Sequence, residues 1–139
     1  MIKYLYYYYR TVKNRPVITV CIAVNVEDGI IVSRGVAICN SKDSFCKKKG
    51  RKLAQVRAWA AMNVKKNLLP IKMGKGVDNA LDIVSVADVF VGLFDYRATF
   101  LPKPTEMEGR LLQKAIEKFK ESFNRKENVI IHDDDGEPD

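Results

Sequence analysis

The chain of 139 residues has one histidine, His132, and it opens an acidic tail instead of lying in the body of the sequence. Hydrolysis of an acyl or phosphoester bond draws on a histidine, a paired carboxylate constellation or a metal. None is legible: the acids are scattered, and Asp78, Asp82 and Asp88 read as solvated strand ends and not as a magnesium site. No catalytic residue, metal ligand or cofactor is expected, and the protein is not read as an enzyme. Three cysteines, Cys21, Cys39 and Cys46, form an odd set without tight pairing, which argues against structural zinc and for reduced, mostly buried thiols. No Walker-type or Rossmann glycine pattern occurs, and Gly74-Lys75-Gly76 alone does not make a phosphate loop. The sequence also lacks eighteen consecutive apolar residues, and its opening MIKYLYYYYR is too polar for a signal-peptide core. These absences predict a cytoplasmic protein with no membrane partner.

What is abundant is positive charge. Five of the 17 acids lie in the terminal segment 132–139, leaving 12 against all 24 Lys and Arg in residues 1–131. The body is therefore about +12, a field that favours anionic partners without choosing among them. Length and patterning predict a single α+β domain over residues 1–131, a small antiparallel sheet with two main helices, and a disordered acidic tail over 132–139.

The Tyr-rich stretch Ile2–Arg10 reads as a strand suited to a sheet edge or a subunit interface. Val17–Val26 and Ile30–Cys39 are β-branched runs separated by Glu27-Asp28-Gly29, a hairpin signal in which glycine supplies positive φ. Regular alternation would put Ile18, Val20, Ile22 and Val24 on a bulky face with Ile30, Val32, Val36 and Ile38, leaving Cys21, Ala23, Gly35 and Ala37 on a shallow one. A helix is expected from Ser41 or Asp43 to about Lys66, with Cys46, Gly50, Leu53, Arg57, Ala60 and Val64 facing the shallow side. Leu81–Val86 and Val89–Phe94 read as short strands and Asp95–Pro104 as a loop. A second helix starts at the capping box Thr105-Glu-Met-Glu108, buries Met107, Leu111, Leu112, Ala115, Phe119 and Phe123, and ends near Asn124–Lys126; Val129–Ile131 reads as a last strand or an attachment.

Lys47, Lys48, Lys49, Arg51 and Lys52 crowd the opening turns of the first helix, where free backbone donors and the positive dipole end already attract anions. Like charges at that end oppose folding, so their clustering points to a ligand. Arg57 falls among small apolar residues and must reach either an edge or an anion. Arg34 shares a strand face with Val32 and Val36 by alternation, and Arg110 opens the second helix. Phe94 and Phe100 flank the loop leading to Arg110 and are candidates to stack on a base. The candidate ligand set is therefore Arg34, Lys47, Arg51, Arg57, Phe94, Phe100 and Arg110.

Two resemblances follow. The segment KKKGRKLAQVRAWAAM, coming after three strands, is similar to the Lys-Lys-x-Ala-Lys helix of double-stranded RNA-binding domains. Such domains open with a helix, however, and have no counterpart of the continuation from Leu68 to Lys126. The longer match, IIVSRGVAICNSKDSFCKKKGRKLAQVRA with the later EGRLLQKAIEKF, resembles the phage anti-Thoeris family of cyclic ADP-ribose sponges. That resemblance implies a small α+β homo-oligomer in the host bacterial cytoplasm. It would bind the cyclic nucleotide made by a TIR-domain sensor and withhold it uncleaved; some members also take cyclic oligonucleotides at a separate site. Arg34, Arg57 and Arg110 lie in the matched segments. Duplex RNA is the partner only under the alternative.

Overall fold

The computed structural model describes residues 1–10, 16–38, 46–71 and 95–132. Five strands and two helices follow one another as β1 (Ile2–Arg10), β2 (Pro16–Asn25), β3 (Ile30–Ile38), α1 (Lys47–Val64), β4 (Leu68–Pro70), β5 (Tyr96–Phe100) and α2 (Glu106–His132). The strands make one sheet in the order β1-β2-β3-β5-β4, antiparallel at every junction. This is the expected α+β architecture. The segments expected as strands at Leu81–Val86 and Val89–Phe94, the residues Cys39 to Phe45 and the tail after His132 lie outside the described residues.

Each strand splits its side chains between two faces. Ile18, Val20, Ile22, Val24 and Val36 are fully buried on one face, each contributing about 1.5–3 kcal/mol of hydrophobic stabilisation. Ala115 joins them from α2, and Leu111, Leu112 and Phe119 pack alongside. Cys21, Ala37, Ala54 and Ala58 form the other cluster, with Tyr4 and Tyr6 at its margin. The tyrosines of β1 obey the same rule, since Leu5, Tyr7 and Tyr9 join the bulky cluster. The sheet is thus a middle layer between α1 and α2.

The hairpin forms where Asp28-Gly29 predicted it. Gly29 adopts φ +72 and its N–H donates to Asn25 O at 2.8 Å. Asn25 Oδ1 meanwhile accepts from the N–H groups of Glu27 and Asp28. Alternation is not regular, however. Ala23 pairs with Ser33 but Val24 pairs with Ile31, so Val32 is an extra residue and the facing of β3 inverts beyond it. Ile31 therefore enters the core, whereas Ile30, expected there, is 45% exposed.

Helix α1 docks on the shallow face, but not by the expected stripe. Its buried residues are Ala54, Ala58 and Ala61, while Leu53 and Val64 are exposed. Gly35 sets this choice: a Cβ there would lie 2.0 Å from Ala54 O and 2.5 Å from Ala58 N. The helix backbone rests directly on the strand, and only alanine fits beside such a contact. Ser33 Oγ fixes it further by donating to Ala58 O at 2.7 Å. The helix begins at Lys47, and Cys46 precedes it without a side-chain cap bond.

Three further expectations are corrected. Residues 96–100 form strand β5, because Tyr, Thr and Phe are strand formers and alternate in facing. Helix α2 continues through Val129–Ile131 to His132, since no glycine or proline interrupts that stretch. Met107 and Phe123 are exposed; the inward residue of the opening turn is Glu108.

Candidate anion-binding site

Two arginine environments lie along the seam between β3 and β5. The first is closed. Arg34, paired with Thr99 of β5, is only 2% exposed and turns its guanidinium onto Glu108, which is wholly buried. Arg34 Nε donates to Glu108 Oε2 at 2.7 Å and its Nη2 to Glu108 Oε1. Tyr7 Oη donates to Oε2 at 2.6 Å, and the Thr105 N–H to Oε1 at 3.1 Å. A carboxylate has about four lone-pair sites, and Glu108 fills them with these four donors. Arg34 Nη2 also donates to Lys103 O at 2.8 Å. Burial first, and then the adjacent Glu108 charge, push the Tyr7 phenol far above its ordinary pKa, so it stays a donor.

The capping box predicted for α2 is present in both halves, with Thr105 Oγ1 accepting from the Glu108 N–H at 3.2 Å. The sequence did not disclose that the same carboxylate receives Arg34 and Tyr7. Beside this cluster is a cavity of about 330 Å³, lined among others by Arg34, Asn67, Tyr96, Thr99 and Lys103. Its size is at the lower end for a small-molecule pocket.

The second environment is open. Val32 O accepts from the Leu101 N–H at 2.8 Å, so the carbonyls of Val32, Arg34 and Val36 point toward β5 by strand geometry. Pairing with β5 nevertheless ends at Gly35 and Ala98. Arg57, reaching from α1, donates Nη1 to Val36 O at 2.7 Å and takes the place of the next strand bond. Continuing the register sets Arg97 opposite Val36. Burial, and then the charge of Arg97, lower the Arg57 pKa. Arg97 Nε is buried with no hydrogen-bond partner, a condition costing about 1–3 kcal/mol. Among the described residues neither arginine forms an ion pair; the pairs present there use the N-terminus, Arg34 and Arg110.

No family model, curated protein or solved structure matches this chain.

The other candidate residues are dispersed. Lys47 and Arg51 are exposed, with Lys47 Nζ 5.0 Å from the Tyr8 ring centroid and the Arg51 guanidinium 5.9 Å from that of Tyr6. Arg110 does not join Arg34: it is solvent-facing and pairs with Glu106 at 2.9 Å. Phe100 is half-buried in β5 opposite Ser33, and Phe94 lies outside the described residues. Arg97 falls in the stretch that the sequence predicts as a loop, although the alternation Tyr96-Arg97-Ala98-Thr99-Phe100 is a strand signal. Among the described residues no group of three or more His, Cys, Asp or Glu could hold a metal, and no helix is long and apolar enough to cross a membrane.

Proposed function

We propose that the protein sequesters a cyclic ADP-ribose-type nucleotide without cleaving it, in the manner of the phage anti-Thoeris sponges that the sequence resembles. One observation carries the reading. Among the described residues Lys47, Lys48, Lys49, Arg51, Lys52, Arg57 and Arg97 form no ion pair, whereas Arg34, which the fold uses internally, receives a dedicated carboxylate. Cations without paired acids attract an external anion, and tyrosine rings beside Lys47 and Arg51 give a base or ribose a surface to contact. Withholding a signal requires nanomolar binding, about −12 kcal/mol. Incubation with a cyclic ADP-ribose isomer, followed by heat denaturation, should return the compound intact; recovery of linear ADP-ribose would refute sequestration. Cyclic oligonucleotides belong to the same proposal as ligands of a separate site.

The reading includes a homo-oligomer, supported by β1, whose outer edge is unpaired within the sheet order. Light scattering at micromolar concentration should give a multiple of the chain mass, and a clean monomer would remove this part.

One feature favours a second reading, duplex RNA binding. All five cations of the α1 opening are exposed, as phosphate-tracking residues would be. Titrating duplex RNA and the cyclic nucleotide side by side at 50 and 200 mM salt separates the two. Six to ten phosphate contacts would make duplex affinity fall by about 10³–10⁵ across that range; a compact ligand held by few contacts would lose far less.

A further inference from the structure

We propose that two copies of the chain join by antiparallel pairing of their β1 strands about Tyr6, and that the junction completes a site for a nucleotide-type anion in which Lys47 and Tyr8 of one copy meet the partner's Tyr4. The inference rests on the oligomer and anion-binding parts of the function above and not on the identity of the nucleotide. The free edge is the first observation. The Val26 N–H donates to Met1 O at 3.3 Å, so Met1, Lys3, Leu5, Tyr7 and Tyr9 turn their backbone groups toward β2, and those of Ile2, Tyr4, Tyr6 and Tyr8 face outward. No strand among the described residues takes them. Exposed edges are blunted by charge, proline or a bulge. The stretch from Tyr4 to Tyr9 has no charge and no proline, and its register shift comes only at the end, between Tyr9 and Arg10.

Identical strands pair most simply about a two-fold axis. Centred on Tyr6, the pairing sets Tyr6 against the partner's Tyr6 and Tyr8 against the partner's Tyr4, so the outward groups of all three tyrosines are bonded. Like charges stay apart, because Lys3 then stands opposite the partner's Tyr9 and Arg10 beside the partner's Ile2. The second observation concerns the face above this seam. Tyr4 and Tyr6 border the cluster of Cys21, Ala37, Ala54 and Ala58, and Lys47 Nζ is 5.0 Å from the Tyr8 ring centroid, so all three rings lie on the α1 side. Helix α1 packs on β2, β3 and β5 and stands beside β1, leaving the rings half-buried. Opposed residues of a bonded antiparallel pair have Cα atoms about 5.5 Å apart and side chains on one face, which brings the partner's Tyr4 beside Tyr8 and Lys47. Lys47 and Arg51 form no ion pair among the described residues, and the joined edges put such cations on both sides of one seam. A nucleotide answers this arrangement, its phosphoryl groups meeting the cations and its base the tyrosine rings.

The test uses the full chain and ADP. Tyr6→Pro and Tyr6→Ala both lose the ring, but only proline loses the outward N–H. By light scattering Tyr6→Pro should halve the particle mass and Tyr6→Ala should keep it; ADP affinity should fall more than 10-fold in Tyr6→Pro and about 10- to 100-fold in Lys47→Ala. The register is read separately, and still decides if Tyr6→Pro does not fold. With Cys39 and Cys46 replaced by serine, Tyr6→Cys should give a disulfide-linked pair on mild oxidation, and Lys3→Cys should not. The proposal is overturned if folded Tyr6→Pro keeps the wild-type mass or ADP affinity, if Tyr6→Cys does not crosslink, or if ADP does not bind. ADP bound by the joined chains with no binding of a cyclic ADP-ribose isomer would leave the shared site standing and remove the sequestration reading. A monomeric Tyr6→Pro that still retains the cyclic nucleotide would do the reverse.

Discussion

The cluster around Glu108 and the seam at Arg57 and Arg97 hold the same kind of cation at adjoining levels, yet in opposite settings. At Glu108 every carboxylate lone pair has a donor, from Arg34, Tyr7 and Thr105, and the three segments that supply them are thereby locked together. At the other level Arg57 donates to Val36 O in place of a strand bond, and Arg97 Nε is buried without an acceptor. Stability explains the first arrangement and is opposed by the second. Residue type alone does not tell the two settings apart; the presence of an internal acid does.

The largest effect should come from opening the closed cluster. Glu108→Ala leaves the Arg34 charge and the Tyr7 hydroxyl buried without their acceptor, and urea unfolding should show a loss of about 3–5 kcal/mol. A loss below about 1 kcal/mol would mean that the two environments are equivalent and would erase the contrast.

Gly35→Ala should act next in size and on the other partner of the comparison. The added methyl meets the backbone of Ala54 and Ala58, so α1 must lift, at about 1–3 kcal/mol. Because Lys47 rides on α1 with Arg57, ADP affinity should fall with it, whereas Glu108→Ala should affect stability first.

Alkaline pH probes the closed side of the contrast. Burial pushes the Cys21 thiol up to about 12, and burial with Glu108 raises the Tyr7 phenol. Both groups are neutral in the fold and ionise earlier when unfolded, so their contribution is complete below the unfolded pKa and is lost as pH rises toward the folded one. Unfolding free energy should therefore decline from about pH 9 upward, at up to about 1.4 kcal/mol per pH unit for each group. A flat profile to pH 11 would contradict the burial of both. Lys47→Ala and Lys48→Ala should have the smallest effect, within about 0.5 kcal/mol of wild type, because both side chains are exposed.

Much of this fold was legible because it depends on local chemistry. The hairpin followed from Asp28-Gly29, the start of α2 from Thr105 and Glu108, and the docking of α1 on the shallow face from its small residues. What escaped depends on contacts between distant segments. The buried stripe of α1 is turned toward Ala54 and Ala58 because Gly35 draws the helix backbone onto the strand, and no periodicity within the helix encodes that. The bulge at Val32 that expels Ile30 is equally silent in the sequence. At the site, Arg34 and Arg57 were singled out by their apolar neighbours. Their different fates were hidden, since Glu108 is 74 residues from Arg34 and Arg97 lies on a strand taken for a loop.

The central claim is that a cation without an internal acid, such as Lys47, serves binding and not folding, and urea unfolding of wild type and Lys47→Ala, each with and without ADP, tests it directly. ADP at about a hundred times its dissociation constant for wild type should stabilise wild type by about 2.7 kcal/mol. The variant should match wild type without ligand and gain less than about 1 kcal/mol with it, as a roughly 30-fold weaker site requires. An equal gain in both proteins, or a variant already destabilised without ligand, would contradict the account.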